Sequence, residues 1–161
     1  MLTLTFRAAR EAPACRSRYK RFARFKGGVN KWGMDKPFPL LEVLEHNGLD
    51  DALWALRCCS PEAERDRVSR LFACDCAEAV LPIFESHFPN DNRPRETIKT
   101  VRKVANEESD KEELAAARDA AWAAWAAAWA AGAAAGAAWD ARDAAWAAAW
   151  TTQIDLLKKY L

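Results

Sequence analysis

Residues 114–150 are built almost entirely from alanine and tryptophan, and this tract constrains the fold more than any other part of the sequence. Of its 37 residues, 23 are alanine and six are tryptophan. Alanine is the strongest helix former because it loses no side-chain entropy, and no proline or β-branched residue interrupts the tract. The sequence therefore predicts a helix here.

The tryptophans form a row at alternating three- and four-residue steps if Gly132, Gly136 and Asp143 are counted as members, which is the heptad pattern of a packing seam. One unbroken helix from Ser109 to Tyr160 would be about 75 Å long, whereas a compact domain of this size has a radius of gyration of about 15 Å. We predict a helical hairpin that turns at Gly132–Gly136, where two glycines weaken the helix. A continuous or kinked helix is the alternative, and the oligomeric state stays open because such a seam can also pair two chains.

The rest of the chain shows helical periodicity and helix boundary signals, with no convincing strand. Helices are expected at residues 7–10, 13–26, 38–46, 51–59, 61–88 and 94–106, with a loop at 29–37. Pro13 suits the first turn of the second helix, and Asp50 and Glu96 are placed to cap later ones. Two apolar rows on the helix at 61–88 predict burial on two sides.

The predicted fold class is therefore all-α: a compact helical bundle with a C-terminal Ala/Trp-rich helical hairpin. We expect one domain, with a basic N-terminal helical segment at residues 1–36, a helical core at 37–108 and the hairpin at 109–161. No apolar run approaches the length of a membrane span and no signal peptide is recognisable, so we expect a cytoplasmic protein that does not contact membranes.

Charge is distributed unevenly along the chain. Residues 1–36 hold ten Lys or Arg and two acids, whereas the remainder holds fourteen Lys or Arg and twenty-one acids. Five of these bases lie between residues 16 and 24 of the predicted helix at 13–26, and we predict that they form a partner-binding surface: Arg16, Arg18, Lys20, Arg21 and Arg24. The alternative is that this helix lies on the protein's own acidic part.

The sequence lacks the residue patterns of catalytic, cofactor and metal sites. The five cysteines include no pair of Cys-x-x-Cys units, so we expect structural thiols rather than a zinc site or a disulfide. We predict no enzymatic activity, no cofactor and no bound metal. Asp75 lies within an apolar row and needs a partner if it is buried. The bases suggested for it are Arg70, Arg93 and Arg95.

The stretch from Arg70 to Glu85, followed by Pro89 to Glu96, resembles the family of immunity proteins found beside bacterial polymorphic toxins and in phage-related contexts. The resemblance covers about residues 49–118. It depends on a pattern of acids, a Leu-Pro pair and an Arg-Pro-Arg turn. Its motif residues here are Arg70, Asp75, Glu78, Pro82, Glu85, Asp91, Arg93, Pro94 and Arg95.

The resemblance implies a small α-helical protein that neutralises a toxin by direct contact, without catalysis or a cofactor, and motif residues that are mainly structural. A phage-encoded counter-defence inhibitor of a bacterial immune effector, similar to an anti-CRISPR protein, is an alternative. A nucleic-acid-binding module is a second one, because Tyr19, Phe22 and Phe25 lie among the bases of residues 7–26. Tyr19 and Phe22 are also spaced as core residues.

Overall fold

The computed structural model describes residues 1–106 and 150–161, and 73% of these residues are helical, which confirms the all-α class. The predicted Ala/Trp hairpin and its heptad row lie outside the described residues. The chain divides into two compact units, of which the first comprises residues 1–69 and 153–161 and the second residues 70–152. The expected one-domain organisation, with boundaries near residues 36 and 108, stays a prediction.

The elements follow one another in short steps along the described chain. The first unit contains β1 (Thr3–Leu4), α1 (Phe6–Glu11), α2 (Arg16–Phe25), α3 (Val29–Trp32), β2 (Phe38–Pro39), α4 (Leu40–Asn47), α5 (Leu49–Ala55) and a 3-10 turn (Leu56–Cys58). Helix α6 (Glu62–His87) begins in this unit and ends in the second, where α7 (Arg93–Ala105) follows. Residues 150–158 are also helical.

The expectation that the chain has no strand is wrong at the N-terminus. Strand β1 pairs antiparallel with β2, and the backbone of Thr3 also bonds to that of Ser60 through N···O distances of 3.2 and 2.9 Å. Leu2, Leu4 and Phe6 alternate along this segment, and all three are buried. That alternation is the two-residue period of a strand, but the strands are too short for local propensity to reveal them.

Three phenylalanines form the centre of the first unit, and we call them the aromatic triad: Phe6 from α1, Phe22 from α2 and Phe38 from β2. Each is at most 5% exposed. The ring centroids are 5.0 Å apart for Phe6 and Phe38, 4.9 Å for Phe22 and Phe38, and 6.1 Å for Phe6 and Phe22. The tilted rings lie within the range of favourable aromatic contacts, so the triad joins three elements that are distant in sequence.

Helix α2 ends where the sequence predicts, because Gly27 and Gly28 adopt φ values of +79° and +97° that other residues rarely reach. Its start is later than predicted, since Pro13 lies in the turn before the helix and Cys15 is the residue that precedes it. The loop predicted at 29–37 contains α3, a single helical turn.

Gly48 joins α4 to α5. It has φ +95° and ψ 178°, a conformation that is essentially restricted to glycine. Glycine 48, not Asp50, precedes the first helical residue of α5, so the predicted cap is wrong. Asp50 and Asp51 lie instead in the first turn, where the positive end of the helix dipole favours carboxylates.

Helix α6 has nearly the predicted span, and its predicted burial on two sides is found only in part, since Val68 of one row and Cys74 of the other are both buried. Cys74 and Leu81 are buried in a small cluster with Ile98 of α7, whereas Val80 and Ile83 are 53% and 66% exposed. The row of Cys74 and Leu81 is therefore covered by α7, whereas the row that is buried at Val68 is exposed at Ile83. In residues 1–106 and 150–161, no helix is both long and apolar enough to span a membrane.

We expect Gly48→Ala to destabilise the protein by about 1–3 kcal/mol, the usual cost of a strained backbone conformation. An added Cβ at this position would meet no atom within 4 Å, so the effect isolates the backbone. Denaturant unfolding measures it, with Glu45→Ala on the exposed side of α4 as the control, for which we expect a change within about 0.5 kcal/mol. Equal stability of the two variants would contradict the strained conformation.

Candidate functional site

Helix α2 presents one apolar side to the core of the first unit and its charges to solvent. Phe22 and Ala23 are buried at 5% and 7% exposure. Because the aromatic triad sets the rotation of the helix, its five predicted partner-binding bases are all exposed: Arg16, Arg18, Lys20, Arg21 and Arg24.

Two of these five bases bind the first unit itself. Arg18 Nη1 lies 2.6 Å from Asp51 Oδ1, and the hydrogen bond to this carboxylate raises the pKa of Arg18 above its usual value. Arg21 donates to the backbone carbonyl of His46 at 3.1 Å. Arg18 therefore contacts an acidic residue of the protein itself, as the alternative predicts, whereas Arg21 contacts a backbone carbonyl.

The other three bases form a row along α2, which we call the basic row: Arg16, Lys20 and Arg24. They are spaced by four residues and so lie on one side of the helix. None of them has an ion pair or side-chain hydrogen bond within residues 1–106 and 150–161. Like charges at this spacing disfavour a helix, by about 0.2–0.5 kcal/mol per pair in isolated helices, so folding alone gives no reason for the row.

The aromatic residues of α2 are not arranged as a stacking platform. Phe22 is buried in the triad, and Tyr19 is half-buried with its hydroxyl donating to the Phe6 carbonyl at 3.4 Å. Phe25 is 51% exposed, but its ring stacks on His46 with centroids 4.2 Å apart. Single-stranded nucleic acids bind to free aromatic faces, and this helix directs most of its rings elsewhere.

In the second unit, the acids of the family-like motif pair with bases of α7 in a repeated register. Glu85 accepts two hydrogen bonds from Arg95, at 2.8 and 2.7 Å, and Glu78 accepts one from Arg102 at 2.5 Å. The two acids are seven residues apart on α6 and the two bases are seven apart on α7. Both contacts form together only if α6 and α7 run antiparallel in this register.

Asp75 is buried at 7% exposure, as its position in an apolar row predicts, and Arg102 Nη2 lies 2.5 Å from its Oδ1. Burial by itself lowers the pKa of Arg102, but the hydrogen bonds to Asp75 and Glu78 raise it above its usual value, so the guanidinium stays charged. Arg102 is not among the residues predicted from the sequence, although it lies seven residues after Arg95. The ion pair is not formed by any base that the sequence suggested: Arg70, Arg93 or Arg95.

The turn before α7 is held by Asp91. Its carboxylate accepts from Arg93 Nε and Nη2 at 2.8 and 2.6 Å and from the Arg93 backbone N–H at 3.1 Å. The hydrogen bond from the Arg93 side chain lowers the pKa of Asp91. Pro94 lies in the first turn as predicted, but Glu96 does not cap the helix and pairs with Lys99 instead.

Three motif residues take no part in these ion pairs, and Pro94 in the first turn of α7 is one of them. Arg70 is partly exposed and has no ion pair or side-chain hydrogen bond within the residues that the structure describes. Pro82 lies inside α6 with its ring exposed. The remaining motif residues mainly connect α6 to the turn and to α7.

The five cysteines are free thiols, and four of them are at least partly buried. Burial raises the pKa of the Cys59 thiol to about 12. Cys15 differs, because it is exposed beside the start of α2. A hydrogen bond with the Ser17 hydroxyl, together with the backbone N–H groups of Arg18 and Ser17, lowers its pKa. No group of three His, Cys, Asp or Glu residues in the described part is arranged to hold a metal ion.

The comparisons with known proteins concern mainly the second unit. Residues 60–153, more than half of the chain, match the family described as Imm-5 like putative immunity protein. The matched range includes the motif from Arg70 to Arg95 and begins after α2. No curated protein and no solved structure matches the chain.

We expect Arg102→Met to destabilise the protein by about 1–3 kcal/mol, because it removes the guanidinium from a carboxylate that water hardly reaches. Denaturant unfolding measures the loss. Arg95→Met is the matched control: Glu85 is more accessible to water, so the loss should be smaller. Asp75→Asn should restore part of the stability in the Arg102→Met background. Equal losses for both arginines would refute the special role of Arg102.

We expect alkylation with iodoacetamide near pH 7.5 to modify Cys15 first and Cys59 last. The thiolate is the reacting form, so a lowered pKa increases the reactive fraction and a raised pKa decreases it. Peptide mass spectrometry over time gives the order. Ser17→Ala should slow the reaction of Cys15, whereas the distant Ser86→Ala should not. Faster modification of Cys59 than of Cys15 would contradict the prediction.

Proposed function

The chain belongs to the Imm-5 like putative immunity protein family, and from this premise we propose that it is a non-enzymatic inhibitor that neutralises a toxin or effector by direct protein–protein binding. The family description supports an immunity role. The observation that supports binding as its mechanism is the basic row, a set of exposed charges that the described part of the chain does not neutralise.

The basic row is the proposed contact surface. Arg16, Lys20 and Arg24 lie on one side of a ten-residue helix whose opposite side is anchored by Phe22. A rigid row of positive charge is suited to a partner with an acidic surface, and such complementarity mainly accelerates association and selects the partner. The row precedes the family-matched residues, so its assignment depends on geometry and not on the family.

Nucleic acid is a weaker candidate for the partner of this row. A binding groove for single strands combines positive charge with stacking rings, and on α2 Tyr19 and Phe22 pack into the unit itself. A bacterial immune effector as the target of a phage inhibitor would use the same surface chemistry. Binding to a toxin domain or to DNA distinguishes a toxin partner from a nucleic acid.

We expect the chain to protect bacteria from a cognate toxin, and the triple variant Arg16→Glu/Lys20→Glu/Arg24→Glu to lose this protection. Charge reversal should raise the dissociation constant for the purified toxin domain at least tenfold, mostly through slower association, and leave the melting temperature nearly unchanged. Growth assays and binding kinetics measure both effects.

The control variant changes three exposed lysines elsewhere to glutamate, and so makes the same change in net charge: Lys31, Lys103 and Lys158. It should protect as well as the wild type. Full protection by the basic-row variant would refute the contact surface, and a wild type that binds no toxin domain would refute the toxin as its target. Salt-sensitive DNA binding that disappears in the basic-row variant would favour the nucleic-acid alternative.

A further inference from the structure

The first unit contains an open cavity of about 240 Å³ between α1, α2, α4 and α5. Its floor is apolar and buried, and includes Leu4, Phe6 and Val43. Its mouth is polar and includes Cys15, Arg18 and Asp51. An apolar floor with a few polar groups at the entrance is the usual construction of a small-molecule site.

The volume limits what can enter. An engineered apolar cavity of about 150 Å³ holds one benzene molecule. A cavity of about 240 Å³ therefore accepts one aromatic ring or two fused rings, and it is smaller than the roughly 300–1,000 Å³ of sites for larger ligands. Nucleotides and other large cofactors are too big for it.

The charges at the mouth favour a hydrogen-bond donor and disfavour an anion. The mouth contains two carboxylates, those of Asp50 and Asp51, and only one guanidinium among the lining residues, that of Arg18. Asp51 accepts one hydrogen bond on each oxygen, from Arg18 at 2.6 Å and from Asn47 Nδ2 at 2.8 Å. Each carboxylate oxygen has two acceptor positions, so the group retains capacity for a further N–H donor.

We propose that this cavity binds a small neutral aromatic compound of one or two fused rings that has an N–H donor. The ring occupies the apolar floor, and the N–H points to the carboxylates of the mouth. The α2 residues that line the cavity, Arg18, Tyr19 and Phe22, lie on the side of the helix away from the basic row, as does Cys15 just before the helix. The site is therefore independent of the proposed inhibitor surface.

Indole is the probe. Titration calorimetry on the full chain should show saturable binding at one site. Benzofuran has nearly the same shape but no N–H, and its affinity should be at least threefold lower. Indole-3-carboxylate adds a negative charge and should bind at least tenfold more weakly. Equal affinity for all three compounds, or no saturable binding of indole, would overturn the proposal.

Cys15 at the mouth reports occupancy in the unmodified chain. Saturating indole should slow alkylation of Cys15 at least fivefold, and it should not affect Cys76, which does not line the cavity. Val43→Phe fills the floor and should abolish both indole binding and this protection, with its folding checked by circular dichroism. If that variant does not fold, alkylation of the unmodified chain tests the site. Indole binding without protection of Cys15 would place the ligand elsewhere and refute the site.

Discussion

The packing of Phe22 against Phe6 and Phe38 is the contact on which the first unit depends. It fixes the rotation of α2, because one ring inserted in the core leaves only one orientation for the rest of the helix. The basic row is thereby directed to solvent, and Cys15 and Arg18 are brought to the mouth of the cavity. One apolar contact therefore positions both the proposed inhibitor surface and the proposed ligand site.

The second unit depends instead on a charge register, the alignment in which the acids of α6 pair with the bases of α7. A partly buried ion pair contributes little net stability, because the loss of hydration offsets the attraction between the charges. Glu78 and Glu85 are seven residues apart, as are Arg95 and Arg102. This equal spacing selects the register of the two helices, since only one antiparallel alignment of α6 and α7 satisfies both contacts. The buried Asp75 strengthens this selection, because any other register would leave its charge without Arg102.

The aromatic triad and the ion pairs between α6 and α7 belong to different parts of the chain, and their separation bears on function. The family match begins at residue 60 and includes the charge register of α6 and α7. The basic row and the cavity come earlier in the sequence. The family thus accounts for the helical framework around the motif, whereas the proposed partner surface belongs to residues outside the match.

Local signals in the sequence determined most helix positions, since periodicity, Pro94 and the glycines after α2 act over a few residues. The sequence also determined that Asp75 would need a charged partner. Only the tertiary structure decided that this partner is Arg102, that Arg18 is engaged by Asp51 while Lys20 is not, that two-residue strands pair near the N-terminus, and that a cavity lies beside α2. The reason is physical: each of these outcomes depends on which distant segments meet, and single-sequence patterns describe one segment at a time.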